Sequence, residues 1–174
     1  MQIDWNAVIA LTGLVTAITA VVALWTTVRS SSTLMQIEMI THLEDRYTAD
    51  EIVKVRAEAA KILLAPEKPK APNSILDRLL IFYEFLGLLK RQKALSDFMI
   101  WHSFSTDIFY YTAAAKEYIF ESHSRNRAVY ADLIKLHETM VKIEKKEAGI
   151  HSPELNLSKE DIRVFLESEA KAFP

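Results

Sequence analysis

Two hydrophobic patterns follow one another at the start of the chain. No residue between Asp4 and Arg29 is charged, and the uncharged run from Trp5 to Val28 exceeds the roughly 20 helical residues that a bilayer core requires. After Arg29, apolar residues recur every three or four positions as far as Tyr47, which is typical of an amphipathic helix. The pattern predicts one long helix that is apolar first and two-faced afterwards.

Tryptophans frame the uncharged run. Trp5 and Trp25 lie 20 positions apart, which corresponds to about 30 Å at a helical rise of about 1.5 Å, the spacing of the two membrane interfaces. A buried helix of a soluble protein is the alternative, although such helices are usually shorter. A cleaved signal peptide is excluded, because no Lys or Arg precedes the run and the run is too long. We therefore predict an uncleaved transmembrane anchor over residues 1–29, with Trp5, Trp25 and Arg29 at the interfaces.

The basic residues indicate the orientation of this anchor. None precedes the run, whereas Arg29 and Arg46 follow it. Because cytoplasmic flanks are enriched in Lys and Arg, the N-terminus is predicted outside and residues 30–174 in the cytoplasm. The lipid bilayer is then the first expected partner.

One side of the predicted span carries small and hydroxyl-bearing residues, and bulky aliphatic residues lie opposite. At 100° per residue the small side is a single line of five residues: Thr12, Thr16, Thr19, Ala23 and Thr26. Small residues let helix backbones approach, and threonine hydroxyls can hydrogen-bond across such a contact. A threonine can equally bond its own i−4 carbonyl. The separation of small from bulky residues indicates that the small side of the helix faces another protein or a lumen. We therefore expect a homo-oligomer or a pore.

The cytoplasmic part is predicted to contain helices alone. A helical arm covers residues 30–64, a linker with three prolines covers 65–73, and a bundle covers 74–174. The bundle helices are expected at about Ser74–Gln92, Ser96–Glu121, Arg127–Glu147 and Ser158–Ala172, the last opened by a near capping box with Asp161. The first of them is apolar almost all round, which predicts a central helix packed on several sides. No strand pattern appears, so the fold class is all-α.

Composition excludes several kinds of chemistry. The chain has no cysteine and three scattered glycines, so it lacks thiol chemistry, a phosphate-binding loop and a dinucleotide fingerprint. Its net charge of −2 gives no electrostatic footprint for nucleic acid, which is not an expected partner. The five histidines match no metal-ligand spacing: His42, His102, His123, His137 and His151. No metal, cofactor or catalytic residue is predicted, and no enzyme motif is found.

A membrane-tethered nuclease is the alternative function. Helical defence RNases often carry an Arg that is followed, after four to six intervening residues, by a His, and this chain has no such motif. A local group of His123, Arg125, Arg127 and Tyr130 could touch a phosphate, although surface arginines are more often solvated or paired with acids. Catalytic groups can still converge in the fold, which keeps this alternative open.

The run from Phe82 to Arg91 reads Phe-Tyr-Glu-Phe-Leu-Gly-Leu-Leu-Lys-Arg, and an aromatic-rich helix follows it. It resembles the Phe-x-Glu-x-Leu-Gly-Leu-Leu-x-Arg motif of an uncharacterised family of small bacterial helical proteins, many with one N-terminal span. The motif residues are Phe82, Glu84, Leu86, Gly87 and Arg91. The family usually has a glycine in the turn after the arginine, where this chain has Gln92-Lys93-Ala94. The resemblance implies a helical bundle, an anchor and no particular activity.

The overall architecture is also similar to that of small membrane accessory proteins of RNA-targeting CRISPR systems, which form pore-like rings. The resulting hypothesis is a single-pass bacterial inner-membrane protein that self-associates through its span. Under this hypothesis it acts as an oligomeric scaffold or pore-like effector in antiviral defence, with an unknown protein partner in the cytoplasm. Glu84 is expected to meet a polar group of a neighbouring helix, since a buried carboxylate needs partners.

Overall fold

The computed structural model describes residues 5–67, 69–149 and 152–173. In the first helix it leaves out the side chains of residues 5–18, 20–22 and 28. The described part contains the helices α1 (Trp5–Thr48), α2 (Asp50–Leu64), α3 (Ser74–Arg91), α4 (Asp97–Ala114), α5 (Lys116–Arg125), α6 (Ala131–Glu147) and α7 (Lys159–Lys171), with a short 3-10 turn at Pro153–Leu155. These residues include no strand, which confirms an all-α helical bundle.

The long N-terminal helix predicted from the sequence is a single element, α1, of 44 residues. The chain divides into a first compact unit that ends at Met39 and a second that begins at Ile40. Among the residues whose side chains are described, no helix has both the length and the apolar character needed to cross a membrane. Most of the predicted span, including Trp5, Thr12 and Thr16, lies outside those residues.

The second unit contains the end of α1 and all six later helices. Ile40, Leu43 and Tyr47 of α1 are buried in its core. Helix α2 packs on α7 and α3 through a face rich in buried alanines, which allows close approach of the neighbouring helices. This differs from the predicted organisation, in which residues 30–64 form an arm separated from the bundle. Residues 65–73 connect two helices inside one unit, because α2 has its own apolar face to bury there.

In the described part of the chain, α3, α4 and α7 each begin with a cap from the side chain of the preceding residue. The Asn73 carboxamide accepts from the amides of the first turn of α3, and Ser96 Oγ accepts from the Met99 amide at the start of α4. Ser158 and Asp161 form a full capping box on α7, where the sequence predicts it.

The helix predicted over Ser96–Glu121 is interrupted. The backbone at Ala115 leaves the helical conformation, with φ −91° and ψ 11°, and divides the segment into α4 and α5. Further on, Tyr130 has the left-handed φ of 58°, so α6 begins at Ala131 and not near Arg127. Both boundaries are set by tertiary contacts, because Ala115 and Tyr130 are buried.

One face of α3 is not covered by the bundle. Helix α3 contacts α2, α4 and α6, and buries Leu79, Leu86 and their neighbours. Its second apolar side is open: Ile81 is 57% and Phe85 44% exposed. The prediction of a helix packed on several sides is therefore wrong for this side, because the neighbouring helices cover only the face that includes Leu79.

Candidate functional site

A group of bonded polar side chains lies where α2, α4 and α7 meet. Arg56 of α2 donates from Nε and Nη2 to the two carboxylate oxygens of Glu169 of α7, at 2.8 and 2.7 Å. Tyr111 of α4 donates its hydroxyl to the same carboxylate at 2.8 Å. A second carboxylate, Asp107, lies 3.8 Å from Arg56. Two parallel N–H bonds to one carboxylate are the strongest geometry an arginine can offer.

Aromatic rings cover this ion pair from the side of α1. The guanidinium carbon of Arg56 lies 4.3 Å from the ring centre of Tyr47, within cation–π range. The Tyr47 hydroxyl is 2.7 Å from that of Tyr83. Phe82 stacks on Tyr47 at 5.0 Å, and Phe104 meets Tyr47 edge-on at 5.3 Å. We call this group the Arg56 cluster: Arg56, Glu169, Asp107, Tyr111, Tyr47 and Tyr83. The motif residue Phe82 packs against it through the ring of Tyr47.

The pKa values in the Arg56 cluster indicate that its arginine stays charged and that its tyrosines do not release a proton at neutral pH. Burial raises the pKa of Tyr47 and Tyr83 well above the usual value, so both phenols stay protonated at neutral pH. Burial would lower the pKa of Arg56, but Tyr47, Glu169 and Asp107 raise it above its usual value. Burial also raises the pKa of Asp107. A permanently charged guanidinium among neutral hydroxyls suits recognition of a carboxylate.

The family-like motif builds the contact between α3 and α6. Glu84 accepts from the backbone amides of Asp132 and Leu133, at 3.2 and 2.6 Å. Helix α6 has no side-chain cap of its own, because Tyr130 precedes it in the left-handed conformation. A carboxylate from α3 thus satisfies two free amides at the α6 N-terminus, where negative charge is also favoured by the helix dipole. This is the polar partner that the sequence leads one to expect for Glu84.

Gly87 and Arg91 continue the same contact along α3. A Cβ atom on Gly87 would lie 2.5 Å from the carbonyl oxygen of Asp132, so only glycine allows α3 and α6 to cross here. The Arg91 guanidinium reaches the Asp132 carboxylate at 3.0 Å. The fifth motif residue, Leu86, is fully buried. Glu84, Gly87 and Arg91 are spaced three and four residues apart, so they share the side of α3 that faces the first turn of α6.

Replacing Glu84 by alanine should lower the free energy of unfolding by about 1–2 kcal/mol, the usual cost of losing an N-cap. The change leaves the amides of Asp132 and Leu133 without their acceptor. Urea denaturation followed by circular dichroism measures it, with Glu138→Ala as a control on the same bundle. An equal loss in the two variants would contradict the capping role.

The turn after the motif uses a strained residue. The Lys93 amide bonds to the Lys90 carbonyl and the Ala94 amide to the Leu89 carbonyl, both at 2.9 Å, which is a Schellman motif. Its left-handed position is taken by Lys93, with φ 57°. Glycine is the residue usually found there, and the family resembled by the motif usually has a glycine in this turn.

Lys93→Gly should therefore stabilise the protein by up to about 1 kcal/mol, since glycine adopts a left-handed φ without the cost that a Cβ atom brings. Lys93→Ala serves as the control, because it removes the same charge and keeps the Cβ atom. Thermal unfolding should give a higher Tm for Lys93→Gly than for Lys93→Ala, and equal values would refute the explanation.

The threonine line is described only in part. Thr19, Ala23 and Thr26 are exposed within the first unit, and the side chains of Thr12 and Thr16 lie outside the described residues. Thr26 donates its hydroxyl to the Ala23 carbonyl of its own helix at 2.9 Å. The Arg29 guanidinium lies 5.3 Å from the ring centre of Trp25, and that indole is 59% exposed. The side chain of Trp5 is outside the described residues.

Three of the four residues considered for phosphate contact are bonded to other groups of the protein. His123 bonds through Nδ1 to the Val129 carbonyl at 2.7 Å, and Arg125 pairs with Glu121 and donates to the Ala71 carbonyl. Tyr130 donates to Asp77 on α3. Within the described ranges no three His, Asp or Glu side chains are placed to hold a metal ion.

A groove of about 1030 Å³ lies between the α4–α5 segment and α6. Ile119, Leu133 and Ile134 are among its apolar residues, and His123 and His137 are among its polar ones. Burial lowers the pKa of His137, so this imidazole is neutral at pH 7. The groove has the size of a ligand site.

Fold and contacts together define a helical bundle protein in which the run from Phe82 to Arg91 forms a helix–helix junction. The chain matches a domain of unknown function, DUF4760, over residues 12–140, and it belongs to this family. The matched range extends well beyond the motif helix. The match agrees with the resemblance to an uncharacterised family that the sequence motif indicated. No curated protein and no solved structure matches the chain.

Sequence reasoning did not find the Arg56 cluster. Arg56 and Glu169 are 113 positions apart, and each lies on an ordinary amphipathic helix where a charged residue suggests solvent exposure. The sequence also gave no sign of the bonds to Asp77, whose carboxylate accepts hydrogen bonds from the hydroxyls of Tyr118 and Tyr130, both at 2.6 Å. The available signal was the position of tyrosines such as Tyr83 and Tyr111 on apolar helix faces, because a buried phenol needs a polar partner.

Proposed function

We propose that this protein is a membrane-anchored helical scaffold that self-associates through its N-terminal span and holds a cytoplasmic bundle at the inner membrane. The observation that carries the proposal is the separation of Thr12, Thr16, Thr19, Ala23 and Thr26 from bulky residues within an uncharged run. A lone anchor needs only hydrophobicity and has no reason to sort its residues into two faces. A packed interface does, because small residues let backbones approach closely.

Two features of the described residues support this reading. Trp25 and Arg29 form a stacked aromatic–cation pair at the end of the uncharged run, where interfacial residues are expected. Every buried side-chain nitrogen and oxygen in the described part of the chain has a hydrogen-bond partner. Such a bundle suits a stable head group on an anchor.

Two assemblies use the threonine line. In a dimer or small bundle, the line packs against its copy, with about 0.6–2 kcal/mol per good interhelical contact. In a larger ring, it faces a central opening where hydroxyls tolerate water. The mass of the detergent-extracted protein distinguishes the two forms from each other and from a monomer.

The test replaces Thr12, Thr16 and Thr19 together by leucine. The triple variant should still insert but should lose its native mass, because leucines keep the backbones apart. A matched control changes the opposite face, with Leu11→Ile, Val15→Leu and Ile18→Leu, and should keep the native mass. A triple variant that retains the native mass would show that the line is incidental and the protein merely tethered.

The orientation has a separate test. Protease added to intact spheroplasts should leave the C-terminal bundle uncut, and digestion from outside would overturn the proposed topology. An RNase assay on the purified full chain distinguishes the scaffold from a tethered nuclease. Activity that depends on residues of the bundle would replace the scaffold proposal.

A further inference from the structure

The groove between the α4–α5 segment and α6 combines a buried apolar lining with an exposed aromatic ring. Ile119 and Leu133 are buried within it, whereas Phe120 is 74% exposed. Water in contact with such a ring is unfavourable, and an apolar group that enters the groove displaces this water. At about 1030 Å³ the groove has room for a small organic molecule. Its lining therefore favours a ligand with an apolar body.

The end of helix α4 gives the groove an electronegative side. Residues before and after the break at Ala115 line the groove, since Thr112 and Ala113 belong to the last turn of α4 and Ile119 belongs to α5. The last carbonyls of a helix carry a partial negative charge, which favours a cation nearby. The last turn of α4 contains no basic residue to offset this charge. A cationic ligand group is therefore favoured at this side.

The ionisable side chains of the groove add further negative charge. Three glutamates and one lysine line it: Glu117, Glu121, Glu138 and Lys116. Glu121 already pairs with Arg125, whereas Glu138 forms no ion pair with any described residue. Burial lowers the pKa of His137 by more than the neighbouring Glu138 raises it, so this imidazole adds no positive charge at pH 7. Glu138 is therefore the carboxylate best placed to receive a cation.

The second histidine of the groove contributes an acceptor. Nδ1 of His123 lies 2.7 Å from the carbonyl oxygen of Val129. A carbonyl oxygen can only accept, so Nδ1 carries the proton, and Nε2 of the neutral ring is left as an acceptor. The polar lining is thus rich in acceptors, with Lys116 as its one charged donor. An ammonium group, which has three donors and a positive charge, complements such a lining.

We propose that this groove binds a small organic ammonium ion, which consists of an aliphatic or aromatic body and one protonated amine. The body packs on Ile119, Leu133 and the ring of Phe120, and the carboxylate of Glu138 receives the ammonium group. A neutral analogue makes only the apolar contacts, and a carboxylate of the same shape is repelled by the glutamates. The proposal does not depend on the membrane anchor, because all of these residues lie in the second unit.

Three probes with one body and different charges test the proposal: phenylbutylamine, phenylbutanol and phenylbutyrate. Isothermal titration calorimetry on the full chain in detergent measures their binding at pH 7, with protein-free detergent as the blank. Phenylbutylamine should bind about tenfold more tightly than phenylbutanol, because hydrogen bonds to a charged group are stronger than those between neutral groups. Phenylbutyrate should bind more weakly than either.

Variants locate the binding in the groove. Glu138→Gln keeps the size of the side chain and removes its charge, so it should weaken the binding of phenylbutylamine about threefold or more and leave that of phenylbutanol unchanged. Glu160→Gln is the matched control, since Glu160 is 64% exposed on α7 and does not line the groove. It should bind all three probes as the unmodified protein does. Ile134→Trp fills the groove and should abolish the binding of phenylbutylamine and phenylbutanol.

Three results would overturn the proposal. One is the absence of saturable phenylbutylamine binding, and another is binding of phenylbutyrate as tight as that of phenylbutylamine. The third is a Glu138→Gln variant that binds phenylbutylamine as the unmodified protein does, or no more weakly than the Glu160→Gln control. Because the side chain of Glu138 is exposed, this variant keeps the fold, and the three results do not depend on whether Ile134→Trp folds.

Discussion

Replacing Arg56 by leucine should lower the free energy of unfolding by about 3 kcal/mol. The guanidinium is 16% and its partner Glu169 13% exposed, so both charges are largely removed from water. Removing one member leaves the carboxylates of Glu169 and Asp107 close together with no cation between them. Breaking a buried ion pair costs about 3–5 kcal/mol, and the partial exposure places this case at the lower end.

Arg163→Leu is the matched control for this experiment. Arg163 also bonds to two glutamates, but its side chain is 53% exposed on the outside of α7. Exposed ion pairs contribute about 0–1 kcal/mol because water screens them. Urea denaturation should separate the two variants clearly. Similar losses of unfolding free energy in the two variants would mean that burial does not increase the stabilisation from the Arg56–Glu169 ion pair.

Gly87→Ala should destabilise the protein by about 2 kcal/mol, although alanine is normally the better residue in a helix. Helix propensity alone predicts a gain of about 1 kcal/mol. The new Cβ atom would lie 2.5 Å from the carbonyl oxygen and 2.6 Å from the carbonyl carbon of Asp132. Backbone atoms cannot rotate away, so α3 and α6 must separate, and overpacking of this kind costs about 1–3 kcal/mol or more.

Gly149 provides the contrast, because it is required for a different reason. A Cβ atom there meets nothing within 4 Å, but the φ of +92° disfavours any other residue. Gly149→Ala should cost about 1 kcal/mol from backbone strain alone. Thermal unfolding of the two variants should give the larger loss for Gly87→Ala. A stabilised Gly87→Ala variant would show that the helices can move apart freely.

The sequence was a good guide wherever a local rule decides the structure. The length of α1 and the capping box of α7 follow from periodicity and capping residues that lie within a few positions of each other. The break at Ala115 and the left-handed Tyr130 do not, because both depend on what those residues pack against. Local preferences are weak beside the energy of burying an aromatic ring.

The motif shows which information comes from the sequence and which comes from the tertiary structure. Its pattern of Phe82, Glu84, Leu86, Gly87 and Arg91 indicated from the sequence that one helix is special and that Glu84 needs a polar partner. It did not identify that partner, which is the N-terminus of α6. Glycine in the middle of a helix is a sequence signal for close approach, but only the structure shows which backbone approaches.

By itself, the sequence determined the helical class, the long first helix, the uncharged run and the two faces of that run, since each depends on periodicity along a single segment. Only the tertiary structure decided that α2 belongs to the bundle, that Ile81 and Phe85 stay exposed, and that Arg56 meets Glu169. The physical reason is that burial and ion pairing between distant segments depend on how helices cross. That geometry is set by the packing of all of them together.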